Sequence, residues 1–364
     1  MIKNFSYEPS DMPGKYEICY SNDADAVTRY LKPFISKYSS FIYIVDRNLP
    51  NNMLDAVVKM TGVPATSIIK IDPAKKNIDR VVEIWNHMVK DVPQAAIAIG
   101  GGVTGDLSGL ASGTYQRGIP RIYFPTTVLS MVDASIGGKS GIDHTDVKNS
   151  IGVLHYPDTV INYVPFLETL DDGEYYSGFG EVVKAAVLYD RTFFEKLEKL
   201  VVGNRLGEEE LIDILYESSV IKAKICEEPN NQKLRLLYGH AIGHSYEKLT
   251  EGRRRHGDCV AVGMDTEGAL AVLAGYWSRD EWERQRQVIR KFKLPIDMPL
   301  DTDLDDLITK MAKYKKLVDK DNLYFILPDE IGHVVNQEDG CRVGFKKSEM
   351  KKLLAEVQEY THKS

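Results

Sequence analysis

The stretch Ala95-Ala96-Ile97-Ala98-Ile99-Gly100-Gly101-Gly102-Val103-Thr104-Gly105-Asp106 decides the fold class of this chain. Its small and β-branched apolar residues read as a buried strand, and the glycines that follow turn the backbone into the start of a helix. Glycine lets a backbone come close to an anion, and the free amides at a helix start attract negative charge. A dinucleotide pyrophosphate suits such a turn, although the spacing is not that of GxGxxG with a downstream acid. On these residues alone a tight structural turn reads equally well.

The same alternation continues outward. Upstream, residues 41–45 (FIYIV) read as a strand ending at Asp46, 67–71 as another strand, and 51–60 and 78–89 as helices. Downstream, residues 121–124 form a strand that ends at Pro125-Thr126-Thr127. Strands alternating with helices predict a mostly parallel, helix-covered sheet. Beyond residue 165 the periodicity becomes helical, over 180–188, 193–200, 208–224, 240–249, 259–274, 281–291 and 347–360. The expectation is an α/β domain over residues 1–165 and a mainly α-helical domain over 166–364.

Composition narrows the class. The 364 residues are 43% hydrophobic and 27% charged, which is globular. The net charge of −7 argues against nucleic acid as the main partner. No window approaches the roughly 20 apolar residues of a membrane helix, and the first residues lack the pattern of a signal peptide. The cysteines, Cys19, Cys226, Cys259 and Cys341, lie far apart without a CxxC pair. A reduced, cytoplasmic protein is expected.

Two groups of residues carry chemistry. Gly239-His240-Ala241-Ile242-Gly243-His244 places two imidazoles four apart, on one helix face, and His256 follows the basic run Arg253-Arg254-Arg255. Glu181 and Lys184 share another helix face. Two histidines and a carboxylate with one open position make a catalytic zinc set, which leaves a third histidine to carry protons. Taken alone, the spacing also fits structural histidines. Lys139, after Gly137-Gly138, and Lys148-Asn149 read as cations in a glycine-rich loop, a pattern that suits phosphate as well as plain surface charge.

Together these segments resemble the dehydroquinate synthase family, in order and spacing, over nearly the whole chain. The blocks are 100–106 (GGGVTGD), 115–120 (YQRGIP), 125–127 (PTT), 132–141 (VDASIGGKSG), 180–184 (GEVVK), 239–244 (GHAIGH) and His256-Gly257. The resemblance implies a Rossmann-like NAD-binding domain followed by a helical metal-binding domain. It implies that Glu181, His240 and His256 hold one divalent metal, zinc or cobalt. Asp46, Asn48, Gly101, Gly102, Val103, Asp106, Thr126, Thr127, Phe166, Thr169 and Leu170 would line the NAD site. Lys139, Lys148, Asn149, Lys184, His244 and Lys315 or Lys316 would surround a substrate phosphate. Arg117 would reach the phosphate site of a second copy, making a homodimer. Asp133 and Lys222 would complete the catalytic set with His244, Lys139 and Lys184.

The implied activity is a sugar-phosphate cyclisation in which NAD takes up and returns a hydride, phosphate is eliminated and a carbocycle closes. Several positions depart from the family pattern. Lys233 and Leu237 stand where an arginine and an asparagine are usual, with Arg235 nearby, and Asp258 stands in place of a glutamate. Leu237 cannot hydrogen-bond a substrate, which keeps open a sister cyclase that makes 2-deoxy-scyllo-inosose from glucose 6-phosphate. His244 disfavours the sedoheptulose 7-phosphate group. A metal-dependent polyol dehydrogenase would share the glycine turn and the metal helices but release NADH.

Overall fold

The computed structural model describes residues 1–8, 15–145, 147–337 and 340–363, with Lys315 described by its backbone alone. Its strands in the first part of the chain are β1 (Ile2–Tyr7), β2 (Tyr16–Ser21), β3 (Phe41–Asp46), β4 (Ile68–Ile71), β5 (Ala95–Gly100), β6 (Arg121–Pro125), β7 (Lys139–His144), β8 (Val147–Leu154) and β9 (Thr159–Tyr163). One sheet runs in the order β1-β2-β9-β6-β5-β3-β4. Only the edge strand β1 pairs antiparallel in it; the other pairings are parallel.

Burial on both faces explains why β3 is apolar up to Asp46, why β5 is a continuous apolar run, and why β6 is apolar after Arg121. Tyr43, Val45, Ile97 and Ile99 pack on one side with Val27 and Leu31 of α1 (Ala24–Ile35) and Met53 and Val57 of α2 (Asn51–Thr61). Ile42, Ile44 and Ala96 face the other way, against Val81, Ile84 and Met88 of α3 (Ile78–Asp91) and Leu107 and Leu110 of α4 (Gly102–Thr114). Each fully buried Val or Leu contributes about 1.5–3 kcal/mol. Asp23 caps α1 by accepting from the amides of Asp25 and Ala26, and Asn77 caps α3 through the Arg80 amide.

The strand order positions a ligand. From β3 the chain crosses to β4 on one flank and then returns to β5 on the other. Where connections part like this, a crevice opens at the carboxyl ends of the two strands. Asp46 closes one of these strands and Gly100 the other.

The chain forms two compact units, Met1–Asp171 with Gly207–Ala223, and Asp172–Leu206 with Lys224–Ser364. The later helices are α5 (Asp172–Ser177), α6 (Phe179–Tyr189), α7 (Arg191–Lys199), α8 (Glu208–Glu227), α9 (Asn230–Lys233), α10 (His240–Leu249), α11 (His256–Leu273), α12 (Arg279–Lys291), α13 (Leu304–Met311) and α14 (Met350–His362). Short antiparallel pairs, Asn322–Phe325 with Val343–Lys346 and Pro328–Glu330 with His333–Val334, accompany them. The early part of α8 packs in the first unit, where the Tyr20 and Ser219 hydroxyls hydrogen-bond at 2.5 Å.

Two expectations are corrected. The segment carrying Lys139, Lys148 and Asn149 is not a glycine-rich loop but the antiparallel ribbon β7–β8. β8 is exposed along most of its length, so it lacks the apolar alternation that reveals a half-buried strand. Helix α11 begins at His256, a turn before the periodicity suggested, so His256 is helical.

Candidate active site

In the first unit, the residues expected at the nucleotide follow the carboxyl ends of adjacent parallel strands. Asp46 ends β3, and its Oδ1 accepts the Asn48 amide at 2.8 Å. Burial raises its pKa, with the Asn48 bond opposing. Gly101 caps α4 with no side-chain hydrogen bond, so the first amides of that helix are open to an anion. A Cβ on Gly101 would meet the Thr127 methyl at 3.2 Å, so a side chain there would crowd the turn. Gly102 and Val103 open the helix. Thr126 and Thr127 follow β6; the Thr126 amide bonds Gly100 O at 3.1 Å and the Thr127 hydroxyl bonds Ser130 Oγ at 2.8 Å. Phe166 is buried in the β3–β5 core, with Thr169 Oγ1 donating to its carbonyl at 3.1 Å and Leu170 following. The donor-rich, uncapped turn fits a pyrophosphate.

Asp106, one turn into α4, does something different. Its carboxylate pairs with Lys76 Nζ, which also donates to Asn149 Oδ1. Burial raises the Asp106 pKa even with Lys76 opposing. Lys76 leaves a faint mark in the sequence, the pair Lys75-Lys76 that follows Asp72-Pro73-Ala74 after β4. Lys222 Nζ lies 2.5 Å from Asp133 Oδ1. Lys139 and Lys148 are exposed on the ribbon, and Asn149 is left-handed at φ 51°. Arg117 is exposed at φ 69°, between Gln116 at φ 49° and Gly118 at φ 117°. A left-handed run of this kind costs roughly 1–2 kcal/mol for each residue bearing a Cβ. Hydrogen bonds from Gly118 N to Tyr115 O and from Ile119 N to Ser112 O close it.

In the second unit, α6, α10 and α11 bring three imidazoles and a carboxylate together. Donor atoms of His240, His244 and His256 all lie within 4.8 Å of one another. Glu181 Oε1 is 3.5 Å from His240 Nε2 and 3.6 Å from His256 Nε2. That oxygen is buried and finds no hydrogen-bond partner among the described residues, whereas Oε2 pairs with Lys184. His240 Nδ1 is 2.9 Å from Tyr238 O, so the proton sits on Nδ1 and leaves the Nε2 lone pair facing Glu181. Burial first, then Lys184, hold His240 well below its usual pKa, hence neutral as a ligand must be. Burial alone would raise the Glu181 pKa, but Lys184 and the two imidazoles outweigh it and hold the carboxyl well below the usual range. His256 Nδ1 faces Glu247 Oε2 at 3.5 Å. Burial would lower its pKa, yet Glu181 and Glu247 push it up to about 9 in the metal-free site, so a cation bound at Nε2 would have to displace that proton. An orphaned carboxylate oxygen opposite two imidazole nitrogens fits a divalent cation.

His244 is only partly buried, and Tyr314 lies edge-on to its ring at 5.6 Å between centroids. Lys184, buried, also donates to Leu236 O at 3.0 Å. Lys316 is exposed, and the Lys315 side chain lies outside the described residues. Arg235 is committed elsewhere, 3.3 Å from Glu228 Oε2 and bonded to Gln232.

Known proteins with related sequences and folds align along this chain. Residues 66–177 match the family described as 3-dehydroquinate synthase N-terminal, and residues 178–317 match 3-dehydroquinate synthase C-terminal. A 3-dehydroquinate synthase of Synechococcus sp. (strain CC9605) is 42% identical over 253 residues, 68% of this chain and 68% of that protein. That of Cyanothece sp. (strain PCC 7425 / ATCC 29141) is 40% identical over 280 residues, covering 74% and 76%. Among solved structures, a 2-deoxy-scyllo-inosose synthase complexed with carbaglucose-6-phosphate, NAD+ and Co2+ superposes with a TM-score of 0.86. It is 22% identical and covers 97% of this chain and 100% of its own, a likeness of fold.

Proposed function

The chain belongs to the 3-dehydroquinate synthase family, and from that premise we propose that it is an NAD- and divalent-metal-dependent sugar-phosphate cyclase. Its reaction would eliminate phosphate from 3-deoxy-D-arabino-heptulosonate 7-phosphate and close the carbocycle of 3-dehydroquinate, making it a carbon–oxygen lyase. The observation that carries this is the unpartnered Glu181 Oε1 facing His240 and His256 Nε2 at 3.5 and 3.6 Å.

A divalent cation, zinc or cobalt, held by Glu181, His240 and His256 would supply Lewis-acid polarisation of a sugar hydroxyl. NAD on the residues around Gly101, Gly102, Val103, Thr126 and Thr127 would supply a hydride acceptor that is regenerated. The chain's side chains do the remaining work. His244, partly exposed beside the ligands, is the imidazole placed to pass a proton between substrate and solvent. Lys139, Lys148 and Asn149 in the first unit, and Lys184 with Lys315 or Lys316 in the second, are the residues that would offer positive charge and donors to a leaving phosphate, whose charge grows as the bond breaks. Lys76 fixes Asn149 and Asp106 through one ammonium group. Lys222 holds Asp133 in a single orientation. Arg117, kept left-handed on the surface, suits a reach to the phosphate site of a second copy in a cytoplasmic homodimer. The net charge of −7 supports a small-molecule partner over nucleic acid.

A sister reaction on glucose 6-phosphate is the second reading, favoured by one observation. Leu237 offers no hydrogen bond and Arg235 is paired with Glu228, so neither is free to meet a substrate carboxylate. Incubating metal-loaded protein with each sugar phosphate separates the two. Phosphate release and a 3-dehydroquinate mass from the heptulosonate phosphate, at constant NADH, support the first. Release from glucose 6-phosphate alone replaces it with the sister. Accumulating NADH would point to a polyol dehydrogenase instead.

A further inference from the structure

Helix α10, which carries His240 and His244, begins without help from its own sequence. Its cap residue is Gly239, left-handed at φ 72°, with no side chain to accept the first amides. Those amides still find acceptors. Glu267 of α11 is fully buried; its Oε2 accepts from Gly239 N at 2.8 Å and its Oε1 from Ile242 N at 3.2 Å. The two amides bracket His240, the first residue of α10.

Glu267 also shares a helix with the third imidazole. It lies eleven residues beyond His256 in α11, about three helical turns, so both side chains leave the same face. Between them the helices touch backbone to backbone. A Cβ on Gly263 would collide with the Gly239 carbonyl, and a Cβ on Gly239 would meet Val260 O at 2.8 Å. At such a close crossing, a slide of α10 along α11 has no side chains to absorb it and passes directly to the imidazoles. A carboxylate is also a costly choice at a buried position when an apolar side chain would fill the space. Burial pushes its pKa up to about 8 and the amides of Gly239, Ile242 and Ala241 hold it down, so the two-oxygen clamp is complete in the ionised form.

We propose that Glu267 is a positioning residue for the metal centre: by clamping the first turn of α10 onto α11, it sets His240 at ligand distance from His256 and Glu181. The inference rests on the metal-centre reading above. It assigns Glu267 no contact with substrate or cation; it acts through the Gly239 and Ile242 amides. Glutamine has one acceptor oxygen where two are needed, and its amide group would oppose the second N–H, so Glu267→Gln keeps the volume and breaks the clamp.

The test is cobalt binding to full-length Glu267→Gln and Glu267→Ala protein. The readouts are chelator competition, the visible spectrum of the cobalt-loaded protein, and NAD affinity alongside. Cobalt affinity should fall about 10–100-fold, as for loss of other outer partners of metal ligands. The cobalt bands should shift, and NAD affinity should stay unchanged. Folded Glu267→Gln protein with wild-type cobalt affinity and spectrum would overturn the inference, whatever its melting temperature. If neither variant folds, hydrogen exchange on the wild type decides. Metal should slow exchange of the Gly239 and Ile242 amides, because clamp and ligands are reciprocally linked; exchange indifferent to metal would overturn it. His240→Ala separates the two claims. If it binds cobalt as well as wild type, the metal reading fails and takes this inference with it. If it loses cobalt while Glu267→Gln keeps it, the inference alone fails.

Discussion

Replacing Lys184 with methionine isolates what a cation does for the buried end of α6. Lys184 and Glu181 have side chains only 3% exposed, and they pair directly. Removing one partner of such a pair costs up to about 3–5 kcal/mol, since Glu181 loses its nearest cation and keeps only the His256 imidazole at 3.6 Å. In a domain of roughly 150–250 residues each kcal/mol is worth about 2–4 °C, so the metal-free Lys184→Met protein should melt up to about 6–20 °C below wild type. Methionine also forfeits the bond from Lys184 Nζ to Leu236 O, a loss of about 1 kcal/mol that is indifferent to metal. With zinc or cobalt at the Glu181 oxygens the anion regains a positive neighbour. Only the Leu236 term, about 2–4 °C, should then persist. The assay is a thermal melt of wild type and variant, each metal-free and metal-loaded. An equal drop in melting temperature in both states would refute the reasoning, because the cation would then not be sitting against Glu181.

Lys76→Met should release both Asp106 and Asn149 and lower kcat/KM for the sugar phosphate about 10–100-fold, the usual range for hydrogen bonds to a charged group. Steady-state kinetics checks this, and a change within twofold would count against Lys76 as an organiser. Burial, helped by Arg121, holds the His155 pKa down to about 4, against 6.5 in a free chain. Unfolded protein therefore binds a proton that the folded form refuses, so stability is full above pH 6.5 and is lost as pH falls toward 4. Melting temperature followed over that window should depend less on pH in His155→Gln than in wild type; parallel profiles would contradict the assignment. Stripping metal with a chelator should abolish turnover and leave NAD binding intact, with zinc or cobalt restoring turnover. Full activity in protein shown metal-free by elemental analysis would remove the metal from the reaction.

The centre of the sheet was legible because β3, β5 and β6 are covered on both faces, so burial writes itself as apolar runs, broken in β6 only by Arg121 at its start. Strand β1 escaped notice since most of its residues are exposed or half-exposed, and β2 mixes Glu17 and Ser21 with its aromatics. Helix α1 contains Pro33, a residue that argues against a helix by its missing amide, and the helix tolerates it only near its end. For α8 the periodicity gave the helix but not its partner. A period says which side chains share a face, and it was the Tyr20–Ser219 contact that tied its early turns to the strand layer.

The same limit governs the site. His240 and His244 at helical spacing, and Glu181 with Lys184, could be paired from sequence because each pair lies on one helix. Lys76 with Asn149, and Glu267 with Gly239, could not, since their partners are 73 and 28 residues away. Glu267 nevertheless left a trace. Residues 259–273 (CVAVGMDTEGALAVL) are apolar nearly all round the helix, which marks a buried element with no face for water. An acid in such a helix must find its counterpart inside the protein. Asp265 finds the Arg286 guanidinium at 3.0 Å. Glu267 has the open amides of a helix that begins on glycine, and that helix is the one bearing the imidazoles. The sequence therefore carries the mark of a buried acid in an apolar helix, and the fold supplies its partner, the start of the helix that bears His240 and His244.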